Sequence, residues 1–328
     1  MAGTSMLKQF NPFTKTSDSS SSEDSKVYCS LKKLIDLRWA VQSIKLPKTK
    51  KISRPQTGSH LSKFRGRGME FSEVRVYQPG DDVRSIDWRV TARRQTPHTK
   101  LFNEERERPL LIVCDQSQSQ FFGSQHSFKS LRAAEAAALF AWTALQHNDR
   151  VGGIVFSDHG HHEIKPARSR KNVLRFLNLI NDFNHALSID MPSPDKDFHI
   201  DDAFTECIRL SKPGTLIVII SDFSKLSAQS EKLLTKLAKH NELLMVHTFD
   251  PLEYELPTKG IYPVSDGNET LVIDTNKSTL KRDFANLIQK RQHDLKRIST
   301  RLNAPLIELS TEFPAINSIQ SLLFSLQR

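Results

Sequence analysis

Three places in this 328-residue sequence carry side chains whose types and spacing suit chemistry. The first is Asp115-Gln-Ser117-Gln-Ser119, one carboxylate and two hydroxyls at alternate positions, a spacing that brings all three to one side of a loop. The second is Asp222, which closes the apolar run Leu216–Ile220 two residues on. Hard oxygen donors of this kind suit Mg²⁺, a cation that keeps several waters and takes few protein ligands. Asp115, Ser117, Ser119 and Asp222 therefore form a candidate metal site. The same two aspartates also suit the capping of the helices that follow, where a carboxylate accepts from orphan backbone N–H groups, and the spacing alone leaves both roles open. The third place is Asp158-His-Gly-His-His162 with Glu163. Neighbours on a strand point to opposite faces, so His159 and His161 share one and would bind a transition metal weakly. A solvated hairpin turn is the expectation there.

Other chemistries lack their parts. There is no Gly-x-Gly-x-x-Gly after a strand, no Gly-x₄-Gly-Lys-Ser/Thr and no Gly-x-Ser-x-Gly, which speaks against a dinucleotide fold, a P-loop nucleotidase and an α/β-hydrolase. An aspartyl-nucleophile phosphatase would carry a second aspartate two residues after Asp115, where Ser117 stands. No nucleophile is presented with its base, and a non-enzyme is expected.

The elements that must position the candidate residues read as alternating strands and helices from Pro109 onward, the rhythm of an open, mostly parallel, doubly wound α/β sheet. Strands are expected at 110–115, 151–157, 216–222, 243–249 and 305–309, with hairpins at 158–165 and around 266–268. Helical periodicity marks about 127–147, 169–183, 200–211, 228–239, 277–302 and 314–327. In such a sheet ligands bind beyond the carboxyl ends of strands, beside the point where strand order reverses. Asp115 and Asp222 both end strands at that edge.

The first third has another texture. Residues 1–25 are serine-rich and polar and are expected to form a disordered tail. A helix is expected from Leu31 to Leu46, ending before Pro47, then a basic extended linker over 48–60. Residues 61–108 are broken by Gly66, Gly68, Pro79, Gly80 and Pro97, leaving short strands such as 73–77. The division expected is a tail over 1–25, a basic, turn-rich β segment within 26–108, and an α/β domain over 109–328. Residues 1–108 hold 22 Lys+Arg against 12 Asp+Glu, whereas 109–328 hold 25 of each. The whole positive excess lies in the first third, an asymmetry that suits nucleic acid or another anionic surface as well as a solvated basic face.

Hydrophobic residues make up 38% and charged residues 26%, as in a globular chain. No apolar stretch approaches membrane-spanning length, and the first 25 residues lack an apolar core of signal-peptide length, so the cytoplasm is the expected address. The three cysteines, Cys29, Cys114 and Cys207, are too few and scattered for a disulfide framework or a cysteine zinc site.

The stretch Gly66-Arg-Gly68-Met-Glu70-Phe71, continuing through Arg75-Val-Tyr77-Gln-Pro79-Gly80-Asp81-Asp82-Val-Arg84-Ser-Ile-Asp87-Trp88 to Ala92-Arg93, Phe102, Glu105 and Arg106, resembles the signature of the domain of unknown function 58 family. The resemblance runs on to Asp115-x-Ser117-x-Ser119-x-x-Phe122-Gly123. It implies a von Willebrand factor A-like fold in the carboxyl-terminal part. It also implies a metal-ion-dependent adhesion site, with Asp115, Ser117 and Ser119 as the first element and Asp222 as the last. A threonine on another loop completes such a site; here Phe198 takes its place, with His199 or Asp201 as candidate substitutes. Members of the family are often encoded beside MoxR-type ATPases, so the resemblance implies a non-catalytic protein-binding role with such an ATPase in assembling or activating other complexes. Within the signature, Arg75, Arg84, Arg89 and Arg93 alternate with Glu70, Glu73, Asp82 and Asp87, which suits a structural salt-bridge network, with Trp88 and Tyr77 as core anchors. The same arginines also suit a docking surface for carboxylate or phosphate.

Overall fold

The structure, a computed structural model, describes residues 26–43, 69–104, 109–190, 198–257, 260–265 and 270–325. The expected tail, the 48–60 linker and the tip of the 266–268 hairpin lie outside them. The chain divides into two units, a body formed by 1–48 with 108–328 and a small unit spanning 49–107.

The body begins with α1 (Leu31–Asp36), which tightens into a 3₁₀ helix over Leu37–Ser43 rather than continuing as the expected single helix. The small unit holds β1 (Met69–Val76), α2 (Trp88–Arg94) and β2 (His98–Glu104), with the two strands antiparallel. The body then runs β3 (Pro109–Asp115), α3 (Lys129–Gln146), β4 (Arg150–Ser157), β5 (Gly160–Ala167), α4 (Arg170–Ala186), α5 (Ile200–Leu210), β6 (Leu216–Ser221), α6 (Ala228–Ala238) and β7 (Glu242–Phe249). It closes with β8 (Ile261–Ser265), β9 (Thr270–Asp274), α7 (Ser278–Leu302), β10 (Leu306–Ser310) and α8 (Ala315–Ser325).

Six strands form the central sheet in the order β10-β7-β6-β3-β4-β5. All neighbours are parallel except β4 and β5, the expected hairpin, which turns at Asp158-His159. The strands between the edges are continuous apolar runs because helices cover both faces. On one face lie α3, α4, α8 and the N-terminal segment, with Leu34, Val41, Phe140 and Phe176 in the core; on the other lie α5, α6 and α7, with Phe204, Leu234 and Ile298. Alanines dominate the buried face of α3 and let it approach closely. The N-terminal segment is fastened by polar groups too: Asn184 accepts from the Cys29 N–H at 2.7 Å and donates to Gln116 at 3.0 Å, and the Trp142 indole N–H reaches the Leu34 carbonyl at 2.9 Å. All three cysteines are buried and free.

The small unit departs from the sequence expectation at several points. Neither α2 nor β2 is announced by apolar periodicity. Instead Asp87 caps α2, accepting from the N–H groups of Arg89 and Val90, and Gln95 closes it with φ of 56°. The turn at Pro79-Gly80 is present, Gly80 supplying φ of 107°. Trp88 is 68% exposed, so it is no core anchor, while Tyr77 is half-buried. Among the described residues, two members of the expected ion-pair network find partners outside it: Arg75 pairs with Asp81 at 2.7 Å and Asp87 with Lys100 at 3.5 Å.

A polar cup at the switch point of the sheet

After β3 the chain winds toward β4, and after β6 it winds toward β7, so the strand order reverses between these two adjacent strands. The loops leaving them part, and a crevice opens there. Asp115 and Asp222 stand on its two sides, as the sequence placed them.

Asp115, 3% exposed, accepts from the Ser117 N–H at 2.9 Å and from the Ser221 hydroxyl at 2.6 Å, which braces β3 against β6. Burial, then the negative charge of Asp222, push its carboxyl above the ordinary range. Ser117 and Ser119 hydroxyls bond to each other at 3.1 Å. Asp222 accepts from the Ser224 N–H at 3.0 Å. The next residue, Phe223, has φ of 53°, costly for an aromatic side chain; its N–H bonds to the Ser221 hydroxyl at 3.1 Å and its ring is buried, which together hold the turn. All four residues of the candidate metal set line one small cavity.

Sequence reasoning missed the cations. Lys129, the first residue of α3, is 1% exposed and reaches Asp222 at 2.9 Å and Glu253 at 2.6 Å. A cation at a helix N-terminus opposes the helix dipole, so the carboxylates must hold it there. Burial works against its charge, yet Asp222 and Glu253 outweigh that and raise its pKa. Burial alone would raise Asp222; Lys129 and the Ser224 N–H bring it below the ordinary carboxylate value instead. Asp158, from the β4–β5 turn, accepts from the Gln118 N–H at 2.7 Å and from the Lys225 ammonium at 2.6 Å. The one sequence signal for Lys129 was its place at the start of a helix following the Asp115 strand.

Phe198 does stand at the cup, donating its N–H to the Asp158 carbonyl at 2.9 Å and stacking its ring on His161 at 4.7 Å. The candidate substitutes lie elsewhere. His199 caps α5, and Asp201 accepts from Ser227 and Ser230 at the start of α6, drawn away from the cup by those hydroxyls. The donor set does not fit a hydrated divalent ion. The cavity measures about 10 Å³, room for one water at most, whereas Mg²⁺ keeps several. Two ammonium groups already neutralise Asp158 and Asp222, and the apolar ring of Phe198 lines the cavity beside them.

Of the histidine cluster, His161 converges with Glu163 and Glu206, but Arg209 bonds to both carboxylates and makes this a surface ion-pair cluster. Beside the cup, a groove of about 910 Å³ runs between the ends of β6 and β7, α7 and the β8–β9 hairpin. Phe223, His247, Phe249, Tyr254, Ile288 and Leu295 line it, and Asp222 and Glu253 stand at its cup end. No helix of the described residues is long and apolar enough to cross a membrane.

Fold and site together define an open α/β protein with a polar cup at its switch point. The chain belongs to the family described as protein of unknown function DUF58, whose model matches residues 73–294. It is 29% identical over 276 residues to the uncharacterized proteins Rv1480 of Mycobacterium tuberculosis and Mb1516 of Mycobacterium bovis, covering 83% of this chain and 84% of each relative. Among solved structures it is similar to the conserved hypothetical protein BatB from Bacteroides thetaiotaomicron, with 15% identity and a TM-score of 0.41 over 66% of this chain and 97% of that one. A weaker likeness, at 10% identity and a TM-score of 0.32, is to proximal thread matrix protein 1 of the mussel byssus, over 43% of this chain and 37% of that one.

Proposed function

We propose that this chain is a non-catalytic, von Willebrand factor A-like interaction module that docks a partner at the carboxyl ends of β3 and β6, working with a MoxR-type ATPase in the assembly or activation of other complexes. The observation that carries the reading is the pairing of a polar cup with an apolar groove of about 910 Å³ at the place where open sheets bind ligands. The hydroxyl nearest the carboxylates, Ser221, is 1% exposed and donates to Asp115 at 2.6 Å, a placement that suits a brace between β3 and β6 better than a nucleophile met by substrate. The ATPase half of the reading is supported by family membership. It is tested by binding the full chain to a purified MoxR-type ATPase of the same organism, with Val264→Glu as control. Val264 lines the groove and is 46% exposed, so the change spares the fold. Affinity lost at least about tenfold in the variant is expected; no binding by the wild type would end the proposal.

A second reading, contact with nucleic acid or another anionic surface, is favoured by one observation. Helix α2 presents Trp88 with Arg89, Arg93 and Arg94, all exposed. Phosphate contacts release counterions, so retardation in a gel-shift assay that falls steeply with salt would support it, and none at low salt would dismiss it.

A further inference from the structure

The cup keeps the acidic residues of a metal-dependent site, yet its positive charge comes from the chain itself. Lys129 is sealed beneath the cup between Asp222 and Glu253. Lys225, on the loop after β6, holds Asp158 at 2.6 Å with half of its side chain exposed at the mouth. Phe198 fills the remaining side with its ring, packed against His161 and Phe156. We infer that the ammonium groups of Lys129 and Lys225 take the electrostatic place of a divalent ion, so that the cup needs no metal and an acidic side chain of its partner docks by sharing the half-exposed Lys225 ammonium with Asp158. An ammonium suits this role because it is a compact point charge whose three N–H donors rotate freely, and a carboxylate is its natural complement. The identity of the partner's group rests on the docking reading above; the exclusion of metal does not.

The experiment separates the two. Thermal melting of the full chain is followed with and without about 10 mM Mg²⁺ or Mn²⁺. An ion that binds the native state must raise the melting temperature. The wild type is expected to stay within about 1 °C, whereas Phe198→Thr/Lys225→Ala, which restores an oxygen donor and removes one ammonium, is expected to gain about 3–5 °C. Each melt is referred to the same protein without metal, so a change in intrinsic stability does not enter. A wild type stabilised by either ion, with the gain abolished by Asp115→Ala, would overturn the inference. So would a double variant that stays silent, because the lysine and the ring would then not be what keeps the ion out. In the ATPase-binding assay, Lys225→Ala is expected to weaken capture about tenfold and Lys225→Arg to retain it. Unchanged capture by Lys225→Ala overturns the carboxylate half, whereas absent capture by the wild type is the failure of docking itself.

Discussion

Replacing Lys129 by Met removes the ammonium between Asp222 and Glu253 while keeping most of the side-chain volume. Glu253 is 36% exposed and recovers water once unpaired, so its loss counts for little. Asp222 is 7% exposed and does not. Breaking a buried ion pair from one side costs about 3–5 kcal/mol, and the lower end applies here because the lysine's own burial cost is relieved. For a body of this size, about 3 kcal/mol lowers the melting temperature by about 6–12 °C. The pairing of Asp222, whose carboxyl is held low, is present above its ordinary 3.8 and is lost only as pH falls through its native value. That of Lys129, whose ammonium is held high, is present below 10.5 and is lost as pH rises through its native value. The deficit is therefore flat across neutral pH, and calorimetry at pH 7 measures it. Adding Asp222→Asn removes the stranded charge and should recover most of the loss. A single variant melting within about 2 °C of wild type would refute Lys129 as the counter-charge of Asp222.

Burial, aided by Lys129, holds His247 down to about 4 despite Asp222 nearby, so it folds neutral. Its contribution is present above 6.5 and falls as pH drops toward 4, by at most about 3 kcal/mol; His247→Phe should flatten the melting profile over that window, and an unchanged profile would exclude it. Asn184→Ala strands the Cys29 N–H and the Gln116 side chain, a loss of about 1–3 kcal/mol per orphaned group. Proteolysis should then cut faster within 26–43, and equal cutting rates would deny the fastening. Gly153→Ala puts a methyl 2.2 Å from the buried ring of Phe176, and urea denaturation should show a loss of about 1–3 kcal/mol.

The body was legible because its strands are unbroken apolar runs and its helices carry long amphipathic stripes. Leu216–Ile220 announces an interior strand, and Asp115 and Asp222 fall at strand ends by simple counting. The small unit was not, because α2 rests on the cap at Asp87 and not on a stripe, and its aromatic, Trp88, faces outward. The cup's acids were legible and its bases were not. A lysine is a surface residue by default, and only the fold brings the start of α3 beneath the end of β6. Phe198 showed the opposite lesson: the residue was singled out by the family resemblance, while its ring stacked on His161 needed three dimensions.

The segment 26–43 packs into the body although the small unit separates it in sequence from all the rest. The small unit, 49–107, is thus an insert in sequence between two parts of the body. Its entropic cost grows only with the logarithm of length, about 0.6 kcal/mol for each doubling. A nick inside it should leave two fragments that stay clasped, because 26–43 is packed in the body by its own contacts.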